Sequence, residues 1–266
     1  MSADTQTTGV VIEKWVRNAI SNNSSIPILG LSGSQGIGKT TALNKLENAA
    51  DLQVALLSLD DFYLTKTERD YLANSVHPLC ATRGAPGTHD IGLLSDTIQM
   101  LQSAEPTDVT NWPKFDKVTD DRSENLNEFV GAPDAILLEG WLIGAVSDTN
   151  ASDDEPINLL ERNEDTEGVW RAWQETALVR TYEPLWHQFD EFLYLCAPSF
   201  ETVFGWRCEQ EETTLGLEKG SLPNDRAAWV ARFIQHYERI TRRILSGQRM
   251  PGREVRVSEK RAILAH

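Results

Sequence analysis

The stretch GLSGSQGIGKTTAL, residues 30–43, constrains what this chain can fold into more than any other feature. Gly33 is followed by four residues and then by Gly38-Lys39-Thr40, the Walker A pattern. Glycines in such a turn let successive backbone N–H groups point inward and cradle a chain of phosphates. The run IPILGLS (26–32) before it reads as a buried strand. KTTALNKLENAA (39–50) after it carries Leu43 and Leu46 at helical spacing. Strand, loop and helix come in the order a phosphate loop needs, and the helix N-terminus adds partial positive charge. Lys39 can reach the β- and γ-phosphates, and the Thr40 hydroxyl can ligate Mg²⁺. Gly33, Ser34, Gln35, Gly36, Ile37, Gly38, Lys39, Thr40 and Thr41 are the expected nucleotide contacts.

The rest of the chain repeats the alternation. Apolar strand runs recur at 52–63, 134–140 and 191–198, with a closing strand segment at 254–264. Helical spacing appears at 10–20, 90–101, 178–189, 199–214 and 226–245, and Pro184 is expected to kink its helix or end it. DVTNWPKFDK (108–117) is strand-like but broken at Pro113. Alternating strands and helices predict an α/β fold, a P-loop NTPase-type parallel sheet flanked by helices on both faces. Residues 1–25 form an N-terminal helix region, and 199–225 a lid region. The acidic stretch 147–168 is expected to be a solvated surface excursion anchored by Leu159-Leu160. No internal repeat or Pro/Ser-rich linker divides the chain, so one domain is expected over 1–266.

The formal net charge of −15 argues against a broad nucleic-acid footprint, which needs a basic face. An anionic ligand must then be held by a local positive site. Cys80, Cys196 and Cys208 are few and unpaired in spacing, which predicts buried reduced thiols. The start MSADTQTTGV lacks the basic and apolar regions of a signal peptide. No apolar run approaches the ~20 residues that span a membrane. The expectation is a cytoplasmic protein without membrane or nucleic-acid partners; nothing in the sequence bears on its oligomeric state.

Candidate chemistry gathers at predicted strand ends, where open α/β sheets bind ligands. Glu139 ends AILLEG and could hold Mg²⁺ directly or through water. Asp60 and Asp61 end the second strand, and a carboxylate there could take the proton of a substrate hydroxyl. If strand geometry persists, their side chains point to opposite faces and only one can serve. The Pro/Gly-rich loop from His77 to Asp90 carries His77, Arg83 and His89, the expected pocket for a small anion. Lys114 and Lys117 flank FD in PKFDK. Arg207, on a helix before a turn-rich loop, could reach a transferring phosphoryl group. His and Cys show no metal-cage spacing.

In order along the chain stand GSQGIGKTT, SLDDFYLT, HPL, TRGAPGTHD, WPKFDK, LLEGW, APSFETVFGWRCEQE and MPG. Together they resemble the D-glycerate 3-kinase family of plants and fungi with its bacterial relatives. That family is similar to a P-loop kinase branch that includes uridine kinase, pantothenate kinase and phosphoribulokinase. The resemblance runs from about residue 26 to 260, and RGAPGTHD and PKFDK are its narrow signals. It implies ATP- and Mg²⁺-dependent phosphorylation of a small hydroxy-acid, with D-glycerate giving 3-phosphoglycerate foremost. It implies Asp60 as general base, Lys39 and Thr40 as phosphate and Mg²⁺ contacts, and Arg207 as the lid residue. Asp61, Tyr63, His77, Arg83, His89 and Lys114 are the candidate acceptor contacts. Pantothenate or uridine phosphorylation is the neighbouring alternative, and nucleotide hydrolysis without an acceptor the alternative of another class.

Overall fold

The computed structural model describes residues 7–148 and 155–264. Five parallel strands make the central sheet: β1 (Ile28–Gly33), β2 (Val54–Ser58), β5 (Ala135–Gly140), β6 (Glu191–Cys196) and β7 (Arg253–Arg256). Their order is β2-β5-β1-β6-β7. β1 is buried along its whole length and β5 nearly so, because helices cover both faces of the sheet. A strand covered twice reads as a continuous apolar run, which is why these were legible. β1 pairs with β5 from Ile28↔Ile136 and with β6 from Leu29↔Glu191. The chain leaves β1 toward β2 on one side, while β6 and β7 lie on the other. Such a reversal opens a crevice at the carboxyl ends of the strands.

One face carries α1 (Thr8–Asn22), α2 (Lys39–Glu47) and α8 (Phe200–Thr214), whose Trp15, Leu43, Leu46 and Val203 join Leu29, Leu31 and Leu193 in one core. The other face carries α4 (Ile91–Gln102), which packs Leu94, Ile98 and Leu101 against Ile28, Leu57 and Leu138. Tyr237, Ile240 and Ile244 of α9 (Asn224–Leu245) close that second core. α3 (Lys66–Ser75) begins with a capping box at Thr65 and Glu68.

β3 (Val109–Asp116) and β4 (Asp121–Val130) form a separate antiparallel hairpin. Pro113 does not break β3; the register shifts between Pro113 and Phe115 instead. A two-stranded ribbon has free edges, so the missing N–H of proline costs no ladder bond there. The predicted strand at 52–63 stops at Ser58, and Leu59–Phe62 form a 3₁₀ turn. Pro184 lies in the first turn of α7 (Glu183–Trp186), preceded by a π-helical turn at Leu178–Tyr182 that continues from α6 (Val169–Ala177).

The acidic stretch is not simply solvated. Residues 149–154 lie outside the described residues. Beyond them, α5 (Leu159–Glu164) buries Leu160 while Leu159 stays exposed. Glu161 and Asp165 are buried, and Arg171 reaches both at 3.5 Å while Arg239 reaches Glu161 at 2.7 Å. Acids enter a core only when paired. Cys80 and Cys196 are buried and Cys208 half-buried, all three as free thiols. Among the described residues no helix is long and apolar enough to cross a membrane.

Candidate active site

The phosphate loop follows β1 as expected. α2 begins at Lys39 with Gly38 at its N-cap in the left-handed conformation (φ 98°), and no side chain caps it. The first N–H groups of this helix are left for a ligand. Ser32 Oγ, Ser34 Oγ and Gln35 Oε1 are buried without a protein partner. Buried polar atoms are nearly always satisfied, so three orphans around one loop mark a place built for polar groups of a ligand. Lys39 Nζ donates to its own loop at Gly33 O across 2.5 Å and stands 3.6 Å from Glu139 Oε2. Glu139 is fixed from the neighbouring strand by Ser58 Oγ, which donates to its Oε1 at 2.7 Å. Thr40 and Thr41 are exposed at the start of α2. Thr40 and Glu139 are hard oxygen donors and suit Mg²⁺. Among the described residues no three His, Cys, Asp or Glu side chains are grouped for a metal ion. An ion here would share Thr40 and Glu139 with nucleotide oxygens, as Mg²⁺ commonly does.

Asp60 and Asp61 sit on the 3₁₀ turn after β2, so the strand argument for opposite faces does not apply to them. Their surroundings still separate them. Asp60 Oδ2 accepts from Lys117 Nζ at 2.6 Å and Oδ1 from Tyr63 Oη at 2.7 Å. Burial works against the Asp60 charge, but Lys117 and the Tyr63 hydroxyl outweigh it and hold the carboxyl down to about 2. The Asp60 charge in turn raises the half-exposed Lys117, with Glu139 adding to that field. Asp61 turns to the hairpin, accepting from Phe115 N at 3.1 Å and from Asn127 Nδ2 at 3.2 Å. Burial pushes the Asp61 carboxyl up. Asp61 braces β3, and Asp60 faces Lys117.

Tyr63 is buried, with its ring stacked on His89 at 4.7 Å and its edge against Phe115 at 4.9 Å. It orients Asp60 and has no face left for an acceptor. His89 is a correction to the expected cationic pocket. Burial drives its imidazole down to about 3 despite the nearby Asp60 charge, so it is neutral. Tyr182 Oη accepts from Gly87 N at 2.9 Å and shares a hydrogen bond with His89 Nδ1 at 2.6 Å. The other ring nitrogen, Nε2, is buried without a partner.

His77 is also turned away from the expected role. Its Nδ1 accepts from Leu79 N at 3.2 Å, capping the turn at Pro78–Ala81, and its Nε2 lies 3.9 Å from Asp165. Lys114 is exposed, and it is Lys117, past the strand end, that meets Asp60. Arg83 pairs with Asp120, which also binds the buried Arg69 at 3.0 Å. The Arg83 guanidinium lies 5.4 Å over the Phe115 ring. Beside it opens a cavity of about 240 Å³ lined by Arg83, Asp120, Trp229, Arg232, Phe233 and His236. Arg207 pairs with Glu211 at 2.9 Å on its own helix and lies over Phe233 at 5.6 Å, so it packs against α9. Its neighbour Trp206 is what touches the phosphate loop, at Gly36. Lys117, Ser58 and Asp120 are the members that sequence reasoning passed over. PKFDK was a visible signal for Lys117, but nothing in it selects the second lysine over the first.

No family model matches the chain. It is 29% identical over 231 residues to a Schizosaccharomyces pombe protein described as "Uncharacterized kinase mug58", covering 79% of this chain and 78% of that one. It is 25% identical over 249 residues to "Probable ATP-dependent kinase TDA10" of Saccharomyces cerevisiae, covering 85% and 82%. Its fold superposes on a D-glycerate 3-kinase from Cryptococcus neoformans with a TM-score of 0.76 at 24% identity, covering 100% and 99% of the two chains. The curated relatives are described as kinases, and the fold is that of P-loop kinases.

Proposed function

We propose that this P-loop kinase transfers the γ-phosphoryl group of ATP to a hydroxyl of a small hydroxy-acid, with D-glycerate giving 3-phosphoglycerate as the reaction. The observation that carries the reading is Asp60, a carboxylate kept ionised between Lys117 and Tyr63 at the same carboxyl end of the sheet as Lys39 and Glu139. The acceptor hydroxyl oxygen bonds to the γ-phosphorus, the bond to the β–γ bridging oxygen breaks, ADP leaves, and the hydroxyl proton goes to Asp60. Lys39 offsets the charge that develops on the phosphoryl oxygens. Thr40 and Glu139 would hold Mg²⁺, which would supply further neutralisation of the phosphate charge. Arg83 receives the acceptor carboxylate in place of Asp120, with a fork that matches a planar carboxylate. Three things support an acid over a nucleoside: Arg83 beside the cavity, Lys117 at the base, and the D-glycerate 3-kinase among the structures this fold matches.

The test is ADP release measured with D-glycerate, L-glycerate, pantothenate and uridine, with the phosphorylated position read by phosphorus NMR. Release that rises with D-glycerate and yields the 3-phosphate is the expected result. Faster turnover with pantothenate or uridine overturns the choice of acceptor. Release that no acceptor changes overturns phosphoryl transfer in favour of hydrolysis.

A further inference from the structure

After β7 the chain turns into a hook. Val257 and Ile263 form an antiparallel bridge, Arg261 N donates to Ser258 O at 2.8 Å, and Ser258 N donates to Ala262 O at 2.8 Å. Trp206 of α8 fastens the hook by donating from Nε1 to Glu259 O at 2.8 Å. Arg261 stands in the hook with φ 62°, a left-handed conformation uncommon for a residue with a long side chain. Strained backbone of this kind persists only where surrounding contacts hold it, and it clusters at functional sites.

Those contacts lead to the phosphate loop. Arg261 Nε donates to the carbonyl oxygen of Gly36 at 2.6 Å. Its Nη1 donates to Glu209 of α8 at 2.9 Å, and its guanidinium lies 5.0 Å over the Trp206 ring. Glu209 also pairs with Lys219, in the loop after α8, at 2.5 Å. Gly36 is fixed from its other side as well. Its φ is 75°, and a Cβ there would stand 2.7 Å from the Trp206 Cβ.

In a trans peptide the C=O and the next N–H point in opposite directions. With the Gly36 carbonyl tied outward to Arg261, the Ile37 N–H faces the other way, where its turn bond to Ser34 O is long at 3.3 Å. A carbonyl turned inward would instead put partial negative charge into a loop built for phosphates. We propose that Arg261 is a positioning residue for the nucleotide: it fixes the Gly36–Ile37 peptide in its phosphate-receiving orientation and, through Glu209, ties that peptide to α8 and the loop after it. The inference rests on the reading of residues 33–41 as a nucleotide loop.

Calorimetric titration of the full chain with ATP and with ADP tests it. Arg261→Ala should weaken both about 10- to 100-fold, the range for a lost charge-assisted hydrogen bond. The acceptor KM at saturating ATP should not move. A merely structural arginine would lower the unfolding temperature of the free protein and leave both affinities where they were. Arg261→Lys should recover part of the loss, since one ammonium cannot replace a fork that spans two acceptors. Glu209→Gln should weaken both nucleotides by a smaller factor, about two- to fivefold, because the bond to Gly36 remains. Wild-type affinity in folded Arg261→Lys and Glu209→Gln overturns the proposal even if Arg261→Ala does not fold. A wild-type chain that binds neither ATP nor ADP overturns the nucleotide reading itself.

Discussion

Lys117 Nζ lies 2.6 Å from Asp60 Oδ2, across 57 positions of sequence. The turn after β2 supplies the carboxylate, and the hairpin of β3 and β4 delivers the ammonium. Asp61, the next residue, spends both of its oxygens on holding that hairpin. Asp60→Asn should therefore lower kcat by about 10²–10⁴-fold, the usual cost of a lost general base, with nucleotide affinity nearly unchanged. Asp61→Asn keeps one acceptor oxygen and should act on stability and acceptor KM far more than on kcat. Steady-state kinetics of the two variants decide the assignment, and a dead Asp61→Asn beside an active Asp60→Asn reverses it.

The same pair sets a pH dependence. The Asp60 carboxyl is held down at about 2, below its ordinary value of 3.8. Its contribution to stability is thus complete above the ordinary value and is lost as pH falls from there through about 2. The neutral range should show no change on its account. Lys117→Met removes the opposing charge and leaves the burial, so the carboxyl should rise. The acid limb of the kcat/KM profile should then move up by about one pH unit or more. An acid limb unmoved in Lys117→Met would show that the ammonium does not tune Asp60.

The parts of this molecule that the sequence revealed are those with a local cause. The phosphate loop is legible because glycine, lysine and threonine at fixed spacing are needed at adjacent positions of one turn. β1 and β5 are legible because burial on both faces demands unbroken apolar runs. β4 was not, because DRSENLNEFV is largely solvated and carries no apolar alternation. The site fails in the same way. Asp60 was in view, but its partner Lys117 is chosen by the register of a hairpin, not by spacing along the chain. His89 looked like a cation in a loop and is a neutral core imidazole, because the stack of Tyr63 and the Tyr182 hydroxyl enclose it. Arg83 looked free and is paired with Asp120, a residue in the left-handed region that no composition rule points to.

Lys39 stands between the Gly33 carbonyl and Glu139, 2.5 Å from one and 3.6 Å from the other. Both contacts are made by the tip of the side chain, so Lys39→Ala should leave β1 and α2 intact. Removing a cation that stabilises a transferring phosphoryl group should cost on the order of 10²-fold or more in rate. Near-ultraviolet circular dichroism checks the fold, and ADP release checks the rate. Near-normal turnover by a folded Lys39→Ala chain would detach the phosphate loop from the reaction.

Arg83 gives the sharpest test of the acceptor's charge. It lies beside the cavity, about a quarter exposed, with Asp120 as its present partner. Asp120 retains Arg69 when Arg83 turns to a ligand, so the exchange leaves its half-exposed carboxylate still paired. A charge-assisted bidentate pair is worth roughly 1.5–3 kcal/mol, so Arg83→Ala should raise the acceptor KM about 10- to 100-fold. The KM for ATP should stay the same, because the phosphate loop is held by other residues. Arg83→Lys should restore part of the loss, since a point charge lacks the planar fork. Inhibition by non-reacting carboxylates of similar size should weaken in parallel with the acceptor KM, which ties the effect to the carboxylate and not to the hydroxyl. An acceptor KM unchanged in Arg83→Ala would leave Arg83 as a brace for Asp120 and Phe115, and the acid-binding role would pass to the other cations around the cavity.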